Sequence, residues 1–340
     1  MTRRLGLALV AIMLAMAAAA PFLAPHSVND HFDGLLNAPP TMPRVVDAGG
    51  SLRAPFIYAW HRVSQLEQRY EEDRSARVPL VWWSGGHLVR SAREAEAPLL
   101  LLGADSYGRD VFGRLVFGAR VSLGLAVAAA LGAMLMGVSI GGAAGYVGGA
   151  LDEILMRIAD FVMVLPAIYV VLALRSVLPL VLSAAEVFAL LVAIFAIVGA
   201  PFIARGVRAI VRSERRLEYA AAAQALGAGD IRLLVRHLLP ATRGFISVQI
   251  TLLVPAFIVA EATLSYVGLG FPDPVASWGT MLHDASTNIR VFADFPWLLS
   301  PAAAMFLVVL GLNMVMQSGR SPAAFPHLAV RPAPEARGIR

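Results

Sequence analysis

The chain has 340 residues, 58% of them hydrophobic and 15% charged, with a mean hydropathy of +0.69; this excludes an ordinary soluble domain and marks an integral membrane protein. All 28 basic residues are arginine, and the net charge of +5 gathers in one loop and the two termini, so it reads as membrane topology; no basic groove interleaved with aromatics argues for nucleic acid. With no cysteine, disulfides, thiolate metal sites and a cysteine nucleophile are excluded.

Residues 1–24 begin with two arginines and continue as an apolar run of roughly bilayer length. The alanines before Pro21 resemble a signal-peptide cleavage region, but later returns to the membrane favour an uncleaved first span. Residues 25–101 differ in kind: polar, near neutral, and broken by Pro39, Pro40, Gly49 and Gly50. There Phe56, Trp60, Val63, Leu66 and Tyr70 fall at helical spacing, and residues 78–89 read as a hairpin turning at Ser84, Gly85 and Gly86. With the N-terminal arginines inside, this segment forms a small extracytoplasmic subdomain.

A core of spans two to six is expected over 102–316. The run LGADSYGRDVFGRLVFGAR at 102–120 places Asp105 before Arg109 and Asp110 before Arg114 at i,i+4, an orientation that supports a helix. An interfacial helix start is favoured there over a docking surface for an external partner. The second span is expected at 121–145, a short turn with Asp152 and Glu153 at 146–157, and a third span at 158–178, interrupted by Pro166. Arg157 and Asp160 read as interfacial charges. The fourth span follows at 185–203, the fifth at 245–269, an external loop at 271–296 and the sixth at 297–316. The tail, 317–340, carries four arginines and one acid, which places it in the cytoplasm with the N-terminus.

Between the fourth and fifth spans, 205–243 reads RGVRAIVRSERRLEYAAAAQALGAGDIRLLVRHLLPATR, eight arginines against three acids. Such short loops stay cytoplasmic. Within the coupling loop, 204–243, residues 218–226 form a small-volume helix stopped by Gly227, and Asp230 N-caps a second helix ending at Pro240.

Three stretches together resemble the permease subunits of ATP-binding-cassette importers. Ala222, Ala223, Gly227, Leu239 and Pro240 are spaced as in the cytoplasmic coupling motif of that family. The run 102–120, with Asp105, Gly108, Arg109, Asp110 and Arg114, is similar to the entrance motif of the dipeptide, oligopeptide and nickel branch, specifically its C-type subunit. EATLSYVGLGFPDPVASWGTM at 261–281 is similar to a third motif of that branch. Departures are Ala104, Gly113, Ala221 and Ala241. The resemblance implies an all-α, six-span type I permease bundle with the small extracytoplasmic insertion between spans 1 and 2. It also implies partners: a B-type permease subunit, two ATPase subunits, a solute-binding protein and membrane lipid. No cofactor is implied. The cargo is a peptide or similar small solute, nickel complexes included.

By the same resemblance the helix from Glu218, with Tyr219 near its start, inserts into the ATPase subunit. Glu261, an ionisable group inside a span, either lines the path or bonds a neighbouring helix and holds the gate; bonding is favoured. Ser265 and Gly268 belong with it, and Pro272 and Trp278 are assigned to binding-protein contact. Two alternatives compete. An intramembrane serine hydrolase is suggested by G-x-S-x-G at 137–141, but Ser139 sits mid-span with no histidine in any span and reads as helix packing. An ATP-independent carrier or channel is the other. The chain has no lysine for a nucleotide-binding P-loop, so the ATPase lies in a separate subunit.

Overall fold

A computed structural model describes residues 2–47, 50–166, 169–170, 173, 182–287 and 290–317. Much of the expected third span and nearly all of the tail lie outside them. The chain opens with α1 (Thr2–Ala18) and, after one residue, α2 (Ala20–Leu23). A four-stranded antiparallel meander follows: β1 (Arg44–Val46), β2 (Leu52–Ser64), β3 (Arg69–Ser84) and β4 (His87–Ser91). The molecule is therefore not wholly α-helical.

The helix expected around residues 56–70 is overturned. Those residues straddle the β2–β3 hairpin, with Trp60 opposite Glu72 and Arg62 opposite Tyr70. Phe56, Ile57 and Tyr58 are buried in succession, while Leu66 is 95% exposed at the turn. The helical spacing arose from two strands and their turn; aromatic and β-branched side chains in FIYAWHRV favour a pleated surface. The second hairpin is as expected: β3 ends at Ser84, β4 starts at His87, and Gly85 and Gly86 turn at positive φ.

The helical body is built on α3 (Val111–Val147) and α5 (Ala184–Glu214), which lie side by side. Their approach follows from four-residue spacing of glycine. A Cβ on Gly137, Gly141 or Gly145 would stand 2.8, 2.2 or 2.7 Å from the carbonyl oxygen of Ala200, Ala204 or Arg208. Between helices in lipid no hydrophobic driving force operates, since lipid tails are as apolar as leucine, so close packing carries the association. Phe195 of α5 stacks on Phe257 at 5.3 Å. Ser139 takes no part: it is exposed and its hydroxyl donates to the Leu135 carbonyl one turn back. Neither hydrolase nor packing describes it; the neighbouring glycines make the contact.

Residues 149–164 are not a turn but α4 (Gly149–Val164), which follows α3 after Gly148. Its acids meet the arginines at the end of α5. Arg208 donates to Asp152, by one bond of 2.6 Å and a second to the other carboxylate oxygen; Arg212 lies 3.5 Å away, and Arg205 pairs with Asp160. Asp160 is thus part of an interhelical pair.

After α6 (Glu218–Ala225), one helical path runs from Asp230 to Tyr266. It passes through a wide π turn (Leu233–Leu238) and a tight 3-10 turn (Leu239–Thr242) before α7 (Arg243–Tyr266). Pro240 does not end it as expected, because the change of pitch falls where the ring has no N–H to give. Nor is Asp230 the cap; Gly229 occupies that position, and Asp230 accepts a 2.6 Å bond from the Tyr146 hydroxyl. The path closes with α8 (Trp278–Ser286), packed on α7, and α9 (Ser300–Gln317), packed on α1. Gly6 and Gly311 let the last pair touch, a Cβ on Gly6 standing 2.6 Å from the Gly311 carbonyl oxygen.

Among the described residues, four helices are long and apolar enough to cross a membrane: Val111–Val147, Ala184–Glu214, Asp230–Tyr266 and Pro296–Met316. They contain the expected second, fourth and sixth spans and all but the last three residues of the expected fifth.

Candidate functional site

At the sheet end of α3, the expected i,i+4 helix pair of Asp105 and Arg109 lies instead in a turn. Gly108 takes φ 74°, the Asp105 N–H donates to the Arg109 carbonyl, and Asp105 Oδ1 accepts from the backbone of Tyr107 and Arg109 at 2.8 and 3.0 Å. A Cβ on Gly108 would come within 2.5 Å of the Phe32 carbonyl oxygen, so both backbone shape and contact require glycine. Helix α3 starts only at Asp110, whose carboxylate accepts from Phe112 N–H at 3.0 Å. Asp110 therefore does not pair with Arg114; it caps the helix and meets His26 Nδ1 at 3.3 Å.

The two arginines reach elsewhere. Arg109 Nε donates to Asp105 at 2.6 Å and its terminal nitrogen to Asp284 of α8 at 2.6 Å, with Asp273 at 3.5 Å. Arg114, 1% exposed, stands 3.7 Å from Asp105 and 3.9 Å from Asp284. Burial pushes the Asp284 carboxyl up against the opposing pull of both guanidinium groups. This cluster ties residues 105–114 to α8. Asp284 and Asp273 were not singled out by sequence, since nothing local marks partners about 170 residues from Arg109.

The second site is centred on Glu261, fully buried in α7. Its carboxylate accepts from Ser122 of α3 at 2.9 Å, from Ser265 at 2.8 Å and from Ser277 at 2.8 Å. Ser122 in turn accepts from the Trp278 backbone N–H at 3.1 Å. Three hydroxyls, from α3, from α7 itself and from the N-cap of α8, thus converge on one carboxylate, which is the bonding arrangement expected of a buried polar group. Gly268 plays a different part: it is exposed, takes φ 81° and ends α7. Its N–H donates to Ser265 O and that of Leu269 to Leu264 O, a complete left-handed C-terminal cap. Close approach falls to Gly270 and Gly279, where a Cβ would stand 1.9 Å from Ser265 Oγ or 2.7 Å from Ala262 Cα.

Trp278 is 1% exposed and donates through Nε1 to the Leu115 carbonyl at 3.1 Å. Its assignment to an external contact is therefore corrected, because the indole is consumed in joining α8 to α3. Pro272 is half-buried, and the exposed residues beside it are Asp273 and Pro274.

At the other end of α3, α6 stands out from the bundle. Glu218, Tyr219 and Ala222 are exposed, Ala223 is half-buried and Ala220 is buried against the core. Its end repeats the cap of α7: Gly227 at φ 86°, Gly227 N–H to Gln224 O and Ala228 N–H to Ala223 O. Leu239 and Pro240 form the tight turn after the π turn, with Leu239 packed on the cluster that holds Ala220. The Tyr219 hydroxyl donates to Glu214 at 2.7 Å; partial loss of hydration and that carboxylate push the phenol up to about 12. With 37 residues, α3 separates this helix from the Arg109 cluster by ~55 Å at 1.5 Å per residue, beyond a ~30 Å hydrocarbon core.

Comparison with known proteins matches residues 137–319, more than half of the chain, to the family described as "Binding-protein-dependent transport system inner membrane component". Residues 4–40 match the "N-terminal TM domain of oligopeptide transport permease C". Relatives include the "Oligopeptide transport system permease protein OppC" of Bacillus subtilis, 43% identical over 63% of this chain and 67% of that protein. The "Dipeptide transport system permease protein DppC" of the same organism is 41% identical over 66% and 68%. The "Glutathione transport system permease protein GsiD" of Pectobacterium atrosepticum is 35% identical over 63% and 68%. The chain belongs to the binding-protein-dependent transport system inner membrane components and is a C-type permease subunit of an ATP-binding-cassette importer, a transport subunit and not an enzyme.

Proposed function

We propose that the chain forms half of a translocation path for peptides or similar small solutes and receives ATP-driven motion through α6. The observation that carries the coupling role is the geometry of α6: a short helix of small side chains, exposed on one face and anchored on the other, closed by Gly227. The cargo class is supported by the oligopeptide, dipeptide and glutathione permeases among its relatives.

In this reading the chain crosses the membrane six times, α1 being the first span, with both termini in the cytoplasm. Residues 1–24 form the first unit, 25–101 the extracytoplasmic subdomain, 102–316 the permease core with its coupling loop 204–243, and 317–340 the tail. A B-type subunit completes the path, two ATPase subunits bind the arginine-rich end, and a solute-binding protein docks at the sheet end. Ser122, Glu261, Ser265 and Ser277 hold α3, α7 and α8 together beside the path, a structural role. The loop around Pro272 contacts the binding protein through its exposed proline and aspartate side chains, not through Trp278.

The test is ATP hydrolysis by the reconstituted importer carrying Ala222→Arg, which adds bulk and charge on the exposed face of α6. Hydrolysis stimulated by the binding protein should fall by about tenfold or more, the scale of a coupling free energy of ~1–3 kcal/mol. Unchanged stimulation in a normally inserted variant removes α6 from the coupling role.

A further inference from the structure

We propose that the tip of the β3–β4 hairpin is seated in the headgroup interface of the bilayer, with Trp82 and Trp83 as its anchors. Both indoles are exposed, Trp82 by 50% and Trp83 by 73%, and Val81 beside them by 40%. Two adjacent exposed tryptophans on a strand end are costly in water, yet they suit the membrane boundary, where an apolar ring body and a polar N–H are both satisfied. Trp83 also holds a left-handed backbone at φ 57°, a conformation that bulky residues rarely adopt and that invites a functional account.

The level of the hairpin relative to the bilayer follows from its attachment. The Trp83 ring lies 5.3 Å from that of Phe22 in α2, and His87 Nδ1 donates to the Ala24 carbonyl at 2.6 Å. From Arg4 to Phe22 the α1–α2 path rises ~27 Å at 1.5 Å per residue, close to the ~30 Å hydrocarbon thickness. With Arg3 and Arg4 at one face of the membrane, Phe22 reaches the other. The indoles beside it therefore lie at headgroup depth, above a helix whose exposed apolar residues include Leu5 and Ile12 on one face. The far end of the same sheet, at Leu66, carries no such attachment to α1 or α2. The inference rests on α1 being a span.

The chain contains no cysteine, so single cysteines report on it without background from itself. A nitroxide is placed at Ser84→Cys, Ile12→Cys or Leu66→Cys in the assembled, liposome-reconstituted importer, and collisions with oxygen and with a water-soluble nickel chelate are compared. The importer with the native chain supplies the partner background. The oxygen-to-nickel ratio at residue 84 should lie between those at residues 12 and 66 and several-fold above the latter. It should fall toward the residue 66 value when Trp82→Gln and Trp83→Gln are added. A label at 84 as aqueous as that at 66, with 12 in lipid, overturns the proposal and leaves the span intact. Shielding at 84 from both reagents means that a protein subunit covers the tip, and also overturns it. An aqueous label at 12 overturns the reading of α1 as a span.

Discussion

Glu261 shows how one buried residue is kept in place. An unpaired carboxylate inside a span would be costly, and its three hydroxyl donors are what make the position tenable. Glu261→Ala leaves Ser122 and Ser277 without that acceptor, and thermal unfolding in detergent should show a loss of ~1–3 kcal/mol. Glu261→Gln keeps a side-chain oxygen for the hydroxyls and should recover much of it; equal losses for both variants would mean that charge, not bonding, matters there. Asp152 makes a pH-dependent counterpart outside the spans. The hydrogen bonds from Arg208 hold its carboxyl below the usual range. A lowered folded value means that the contribution is complete above the unfolded value of ~3.9 and disappears as pH falls through the folded one. Asp152→Asn should therefore lose less melting temperature between neutral and strongly acidic pH than the native chain.

Among the elements, the α3–α5 pair shows position-specific demand for glycine. At Gly141 an added Cβ would stand 2.2 Å from a backbone oxygen, which cannot rotate away, whereas at Gly142 its nearest neighbours are ends of leucine side chains at 3.5 Å or more. Gly141→Ala should lower stability by ~1–3 kcal/mol through overpacking. Gly142→Ala should be neutral or slightly stabilising, because alanine is favoured over glycine in a helix by ~1 kcal/mol. Comparing their melting temperatures separates contact from propensity. Equal effects would show that α3 and α5 can move apart without loss. The same distinction separates Gly227 and Gly268, which terminate helices at positive φ in open space, from Gly137, Gly141 and Gly145, which exist for contact.

At the scale of the whole molecule, α3 joins two chemically distinct ends: the carboxylate–arginine cluster and sheet on one side, the arginine-rich loop with α6 on the other. If the bundle crosses the bilayer as proposed, these ends face opposite compartments. Leu66 and Leu226 are 95% and 89% exposed, one at each end. In intact spheroplasts, Leu66→Cys should react with a membrane-impermeant maleimide at once, and Leu226→Cys only after permeabilisation. Labelling of both from the same side would overturn the assigned orientation.

The membrane class, the branch of the family and the four long spans were legible in the sequence because they depend on local quantities: run length, hydropathy, and motif spacing along the chain. The β3–β4 turn was legible for the same reason, since two successive glycines between short apolar arms specify it locally. The β2–β3 hairpin was not, because aromatic residues on two strands around a turn can mimic a helical period, and cross-strand pairing decides between them. Arg109 and Arg114 were found as motif members, but their partner Asp284 was not; of the hydroxyls that bind Glu261, Ser265, one turn away, was grouped with it, whereas Ser122 and Ser277 were not. A charge or hydroxyl is satisfied by whatever the fold brings within bonding distance, and residues separated by well over one hundred positions carry no mutual signal in one sequence. Trp278 shows the same limit in reverse: its motif marked it, and only packing against α3 decided that the indole faces inward. Composition and spacing determined what kind of protein this is; burial and long-range bonding decided which of its marked residues hold the structure and which remain free to meet a partner.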